Sequence, residues 1–198
     1  MFYKIIRKAA YGLVKLLFFV RIKNMDVIPK TGGVMLCANH RSLWDAVLIA
    51  AAVKRPLAFI GKEELFDIKP LGFFLKRLNC YPVKRDGGDI AVVKTAVRLL
   101  RAGQPMMIFP EGERIRKGKK PNPKAGALRI AMMTEVPIVP IGIKGNFKWF
   151  RKMEVCAGEM IDTSVYKGKK YTDEEYKNLT WDIMDKIYAL AGTEYLHD

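Results

Sequence analysis

Three cysteines in 198 residues, at positions 37, 80 and 156, are too few and too scattered for a disulfide scaffold. No paired-cysteine or Cys/His spacing is present, so a structural zinc site is not expected, and the three are read as free thiols in a reducing compartment. Histidine is scarcer still. There are two, and His197 adjoins the C-terminus, which leaves His40 as the one candidate for a base working near neutral pH. No uncharged apolar run approaches the ~18 residues that a membrane span needs. The nearest, residues 12–20, is interrupted by Lys15. No small-residue cleavage site follows it, so a secretory signal is not expected. Neither a P-loop nor a G-x-G-x-x-G fingerprint occurs, which argues against the common nucleotide folds. Internal repeats and low-complexity stretches are missing too.

Acidic residues are in deficit: 20 Asp and Glu stand against 35 Lys and Arg, a formal net charge of +15. That excess calls for an anionic partner, whether a phosphate-bearing substrate, a lipid surface or a nucleic acid. Apolar residues make up 50% and charged residues 28%, enough for one well-filled domain. The charge is uneven. Residues 1–25 hold six bases and no acid, and residues 113–124 hold six bases against Glu113. Residues 172–198 hold seven acids and two bases.

In the first ~20 residues, Phe2, Ile5, Ile6, Ala9, Leu13, Leu16, Leu17 and Val20 recur at helical steps with bases between them. This predicts an amphipathic interfacial helix, resting on a membrane through residues 1–24. Residues 25–198 then form an α/β domain. Strands are expected at 34–38, 57–60, 80–83, 106–109, 138–143 and 155–161. Helices are expected at 42–53, 69–77, 89–102, 125–134 and from 172 or 173 to 191. Short strands alternating with helices predict a largely parallel central sheet flanked by helices.

In such sheets ligands bind beyond the carboxyl ends of strands. Two ends carry chemistry. After the first expected strand comes Asn39-His40-Arg41-Ser42-Leu43-Trp44-Asp45; after the fourth comes Phe109-Pro110-Glu111-Gly112-Glu113-Arg114. On one helix, His40 and Asp45 would lie about 140° apart. They meet only if His40 sits in the loop and Asp45 in the first turn. Ser42 and Asp45 fit a capping box that allows this, and the box is by itself a sufficient reason for Asp45. On these residues alone, a His40–Asp45 pair and a plain helix cap both remain open. Arg114 is suited to clamping a phosphate, and Glu111 to holding substrate hydroxyls or orienting Arg114.

Taken in order, these segments resemble the glycerolipid acyltransferase family, most closely its bacterial 1-acylglycerol-3-phosphate acyltransferases. Four blocks carry the resemblance, over residues 25–145: Asn39-His40 through Asp45, the family's His, four residues, Asp signature; Lys62-Glu63-Glu64-Leu65 through Pro70-Leu71-Gly72 to Arg85; Phe109-Pro110-Glu111-Gly112 with Arg114; and Val136-Pro137-Ile138-Val139-Pro140-Ile141. The chain departs from it at Glu113 and Ile115, where the family usually has Thr and Ser.

The resemblance implies transfer of a fatty acyl group from acyl-CoA or acyl-carrier protein to the sn-2 hydroxyl of 1-acylglycerol 3-phosphate. His40 would be the base and Asp45 its orienting partner, with no covalent intermediate and no metal or other cofactor. Backbone N–H groups near Ser42 and Leu43 would support the oxyanion. Arg114, Arg85 and Lys62 would bind phosphate, and Glu111 with Gly112 would help place the glycerol. The expected location is the cytoplasmic face of the cell membrane, with anionic lipids as partners and no nucleic acid. Other readings remain. The acceptor could be another lysolipid or an aminolipid. Cys37, three residues before His40, could be a nucleophile. A basic protein binding membranes or nucleic acid without catalysis would also fit the charge.

Overall fold

The computed structural model describes residues 2–83, 88–115, 121–145, 147 and 149–193. Its centre is β2, Val34–Ala38, a run of five apolar residues buried along its whole length. Such a strand has to be covered on both faces, as in parallel sheets. Side chains alternate across it with period two. Val34, Leu36 and Ala38 enter one core; Met35 and Cys37 enter the other. Each large side chain fully buried there contributes about 1.5–3 kcal/mol.

On either side of β2 run β5 (Pro105–Ile108) and β6 (Ile138–Gly145), both parallel to it. β7 (Lys152–Ala157) pairs antiparallel with β6, and β1 (Phe19–Lys23) pairs parallel with β7. Among the described residues the main sheet therefore has the order β1-β7-β6-β2-β5. A second ladder joins β3 (Phe59–Lys62) and β4 (Cys80–Val83) in parallel, and a single bridge from Ala58 to Met106 sets it beside β5. The expectation of a largely parallel sheet flanked by helices holds.

Helices cover both faces. α1 (Phe2–Leu17) and α2 (Trp44–Ala52) lie on one side, where Val14, Phe18, Leu48 and Ile49 fill the core. Behind the other side stand α5 (Gly88–Arg101), α6 (Gly126–Thr134) and α7 (Asp173–Ala191). Two short helices, α3 (Glu64–Asp67) and α4 (Leu71–Arg77), connect β3 to β4 where one helix over 69–77 was expected. The N-terminal helix is shorter than its apolar periodicity predicts. It ends at Leu17, and residues from Phe19 form the edge strand β1. In Val20-Arg21-Ile22-Lys23 β-branched residues alternate with bases, which suits a charged edge strand better than a helix.

Candidate active site

Because β2 and β5 are parallel neighbours, the two chemistry-bearing loops leave the sheet at the same edge. Asn39, the first residue past β2, is buried and clamps that loop to β6. Its side-chain amide donates to the Ile143 carbonyl at 3.1 Å and its side-chain oxygen accepts the Ile143 N–H at 2.8 Å. His40 is then held on both sides of its backbone. Its N–H donates to Oε2 of Glu111 at 2.6 Å, and its carbonyl accepts the Ile115 N–H at 2.8 Å. The loop after β5 thus fixes the main chain of the loop after β2.

Asp45 organises the rest. Its Oδ2 lies 3.0 Å from Nδ1 of His40, and accepts the N–H groups of Arg41 at 2.6 Å and Ser42 at 2.7 Å. The carboxylate is 1% exposed and the imidazole 17%. A buried carboxylate is stable when it is surrounded by donors in this way. With Asp45 ionised, Nδ1 carries the imidazole proton and Nε2 keeps its lone pair. Phe109, the first residue past β5, stacks on the His40 ring with centroids 3.9 Å apart and an angle of 14° between planes. The ring is therefore fixed at its edge by Asp45 and on its face by Phe109.

Local sequence explains this geometry. The helix starts at Trp44, two residues later than the sequence predicts, so His40 lies in the loop and Asp45 in the first turn. Ser42 Oγ accepts the Trp44 N–H at 3.2 Å, and Asp45 reaches back to the Ser42 N–H. The expected capping box is not formed: the helix caps at Leu43 with no side-chain cap hydrogen bond, and the Asp45 N–H goes to the Ser42 carbonyl, so the Asp45 carboxylate serves the loop and His40. The Ser42 N–H, assigned to an oxyanion from sequence, is turned inward to Asp45.

The other sequence-assigned residues fall as follows. Arg114 is exposed, one residue before the Ile115 that binds the His40 carbonyl. Lys62 is exposed at the carboxyl end of β3. Arg85 lies outside the described residues. Gly112 is exposed with φ of 70°, a left-handed conformation that favours glycine, and its N–H closes the turn onto the Phe109 carbonyl. Glu111 differs from its assigned role. It is 3% exposed, and its carboxylate serves the His40 N–H through Oε2 and the Tyr188 hydroxyl through Oε1 at 2.9 Å. Both of its oxygens thus accept from groups of the fold, one in the loop after β2 and one on α7. Burial pushes its pKa up to about 7, against the opposing pull of those two hydrogen bonds. Cys37 is fully buried in β2, and burial pushes its thiol up to about 12.

The sequence reading missed Tyr188. One signal was available: it shares the buried stripe of α7 with Ile183, Met184, Ile187 and Ala191, and a tyrosine on such a stripe needs a partner for its hydroxyl. The stacking of Phe109 on His40 has no comparable sequence signal.

Comparison with known proteins points to one family. The chain is 29% identical to the 1-acyl-sn-glycerol-3-phosphate acyltransferase of Bacillus subtilis over 165 residues, 80% of this chain and 82% of that protein. It is 31% identical to the enzyme of that name from Streptococcus pneumoniae over 73% of this chain, and spans 55% of that relative's length. The crystal structure of the 1-acyl-sn-glycerophosphate (LPA) acyltransferase PlsC from Thermotoga maritima superposes with a TM-score of 0.73 at 26% identity, covering 98% of this chain and 83% of the other. The sequence model of the family described as Acyltransferase matches residues 19–144, from the start of β1 into β6, so the match encloses both loops that meet at His40. The chain belongs to the acyltransferase family.

Proposed function

We propose that this protein transfers a fatty acyl group from acyl-CoA or acyl-carrier protein to the sn-2 hydroxyl of 1-acylglycerol 3-phosphate, forming phosphatidic acid. The observation that carries this reading is the His40–Asp45 pair, Nδ1 to Oδ2 at 3.0 Å, in a loop at the carboxyl edge of the sheet; with Nδ1–H donated to Asp45, Nε2 is the ring nitrogen left to act as base. The names of the relatives supply the substrate class.

Nε2 of His40 removes the proton of the acceptor hydroxyl while that oxygen attacks the thioester carbonyl. Asp45 stabilises the imidazolium that forms. The tetrahedral intermediate collapses with loss of the thiolate, which receives the proton from His40. A positioned base of this kind contributes about 10²–10⁴-fold. Arg114 and Lys62, both exposed, and Arg85 are assigned to the acceptor phosphate. Direct transfer is favoured over a covalent route, because the buried Cys37 thiol is far from ionising near neutral pH.

The reaction takes place at the cytoplasmic face of the membrane, with α1 as the attachment. At 100° per residue, Ile5, Ala9, Gly12, Leu13 and Leu16 share one arc of about 100°, with Lys8 and Lys15 beside it. Ile5, Leu13 and Leu16 are 55%, 45% and 70% exposed, whereas Val14 faces the core. The helix therefore has an apolar stripe turned outward with bases along one side of it, as suits an interfacial helix.

The test is thiol release from palmitoyl-CoA with lysophosphatidic acid in anionic vesicles. The wild type is expected to release thiol only with the acceptor present, and His40→Ala is expected to lose about 10²-fold or more. Thiol release that is unchanged in a folded His40→Ala protein would eliminate the base. Release with a different lysolipid alone, or with acyl-carrier protein as donor alone, would reassign that substrate.

A further inference from the structure

Tyr188 stands on α7, 77 residues from Glu111 in sequence, yet its hydroxyl donates to Oε1 of that carboxylate at 2.9 Å. The other oxygen, Oε2, takes the His40 backbone N–H at 2.6 Å. Glu111 thereby links a side chain of the C-terminal helix to the main chain of the candidate base. Both linking residues are shut away from water, each 3% exposed. A carboxylate in such surroundings is stable as an acceptor only while its donors are present. The two hydrogen bonds oppose the upward push of burial on Glu111, so each donor helps to preserve the acceptor that the other uses.

The position of Tyr188 is set by tight packing. α7 begins at a capping box, in which the Thr172 and Glu175 side chains serve each other's backbone N–H groups. It ends at Gly192 in a left-handed conformation with φ of 62°. Between these ends it presses onto the sheet with no room to spare. A Cβ placed on Gly142 of β6 would lie 2.4 Å from Cβ of Leu190 and 2.6 Å from the backbone nitrogen of Ala191. One placed on Gly158 would lie 2.9 Å from a Leu190 methyl carbon. The glycines let the helix sit at one depth, and that depth delivers the Tyr188 hydroxyl to Glu111.

We propose, resting on the acyl-transfer reading above, that Tyr188 is a positioning residue: acting through Glu111, its hydroxyl holds the His40 backbone in place for proton removal. The C-terminal helix is then part of the catalytic support, although none of its residues need touch substrate. Tyr188→Phe keeps the ring and removes the one donor. It is expected to lower kcat about 5–20-fold while KM for each substrate stays within about twofold, because the loss falls on the base and not on binding.

Three comparisons on the full-length protein decide the matter. Ile187→Val, a trimmed apolar neighbour on the same buried face, is expected to lose stability while keeping wild-type kcat well below its Tm. If it loses kcat as Tyr188→Phe does, the role of Tyr188 is merely structural. Glu111→Leu, which keeps a branched side chain of similar size but offers no acceptor, is expected to lower kcat as well. Adding Tyr188→Phe to Glu111→Leu is expected to change kcat by less than about twofold, since a side chain with no polar atom has already cut the route from Tyr188 to His40. Independent, multiplying losses would overturn the proposal, as would a Tyr188→Phe enzyme with wild-type kcat. If Tyr188→Phe alone melts below the assay temperature, all four proteins are compared at a lower temperature at which each is folded, since the coupling is read only from both single variants and the double. A wild type that releases no thiol with any acyl thioester and lysolipid removes the acyl-transfer reading itself, and is seen before any variant is compared.

Discussion

Burying a carboxylate is unfavourable by several kcal/mol unless donors surround it, and the two buried carboxylates here meet that demand differently. Asp45 draws three N–H groups onto one oxygen. Glu111 has one donor on each oxygen, and burial pushes its pKa from 4.5 up to about 7. The fold therefore binds the Glu111 proton more tightly than the unfolded chain does. This contribution to stability is fully present below about pH 4.5 and is lost as the pH rises through about 7. Glu111→Gln has no proton to lose. Its stability relative to wild type is expected to rise between pH 4.5 and 8, by roughly 2–3 kcal/mol across the window. Urea unfolding at the two ends of that range measures it. A difference that stays level with pH would mean that Glu111 is ionised throughout. The assignment of Glu111 to the acceptor was a reasonable reading of a carboxylate beside Arg114 on a turn. Sequence does not show that the turn folds inward, because the partner that draws Glu111 in lies on α7.

The elements that sequence reveals best are those with strong periodicity and end signals. β2 is an unbroken apolar run, and α7 is bounded by Thr172 and by Gly192. Both match expectation nearly to the residue. β1 was missed because Phe19-Val20-Arg21-Ile22 continues the apolar spacing of α1, and the strand β7 that pairs with it lies more than 130 residues further on. The His40–Asp45 pair was legible because it is local, spanning one loop and one helical turn. The brace behind it joins β2, β5, β6 and α7, so only the folded chain displays it. Close packing of α7 gives a test at this scale. Gly142→Ala puts a methyl group against backbone atoms of α7, which cannot move aside without shifting the helix. It is expected to destabilise the protein by about 3 kcal/mol. Gly126→Ala, whose added Cβ meets nothing within 4 Å at the start of α6, is expected to be neutral or slightly stabilising. Chemical denaturation of both separates steric exclusion from glycine's backbone freedom. Equal stabilities would mean that α7 yields readily, and would weaken the case that its depth is fixed.

Across the whole molecule, chain direction and exposed apolar side chains converge on one end of the sheet. The parallel strands β2 and β5 open their carboxyl ends towards His40. α1 runs along α2 towards the same edge: Tyr3 near its start accepts the Leu57 N–H, and Phe18 just beyond its end packs edge-on against Trp44 and Phe147. The outward stripe of α1 therefore leads to the rim of the site. Exposed Leu43, Trp149 and Phe150 are large apolar side chains on loops at that end of the sheet. None of the described helices is long and apolar enough to cross a membrane, so attachment of this kind depends on shallow insertion plus charge. Each base near an anionic surface adds about 1 kcal/mol, and the attraction decays within a Debye length of roughly 10 Å at 0.1 M salt. With a net charge of +15, the protein is expected to co-sediment with phosphatidylglycerol-rich vesicles at low salt and much less with phosphatidylcholine vesicles. Adding salt should remove most of the charge contribution and leave a residue due to the apolar stripe. Leu16→Glu, at a position 70% exposed, should leave folding intact and weaken that residual binding several-fold. Binding that salt abolishes completely and Leu16→Glu leaves unchanged would make the attraction purely electrostatic, and α1 would then be a helix packed on the domain and no anchor.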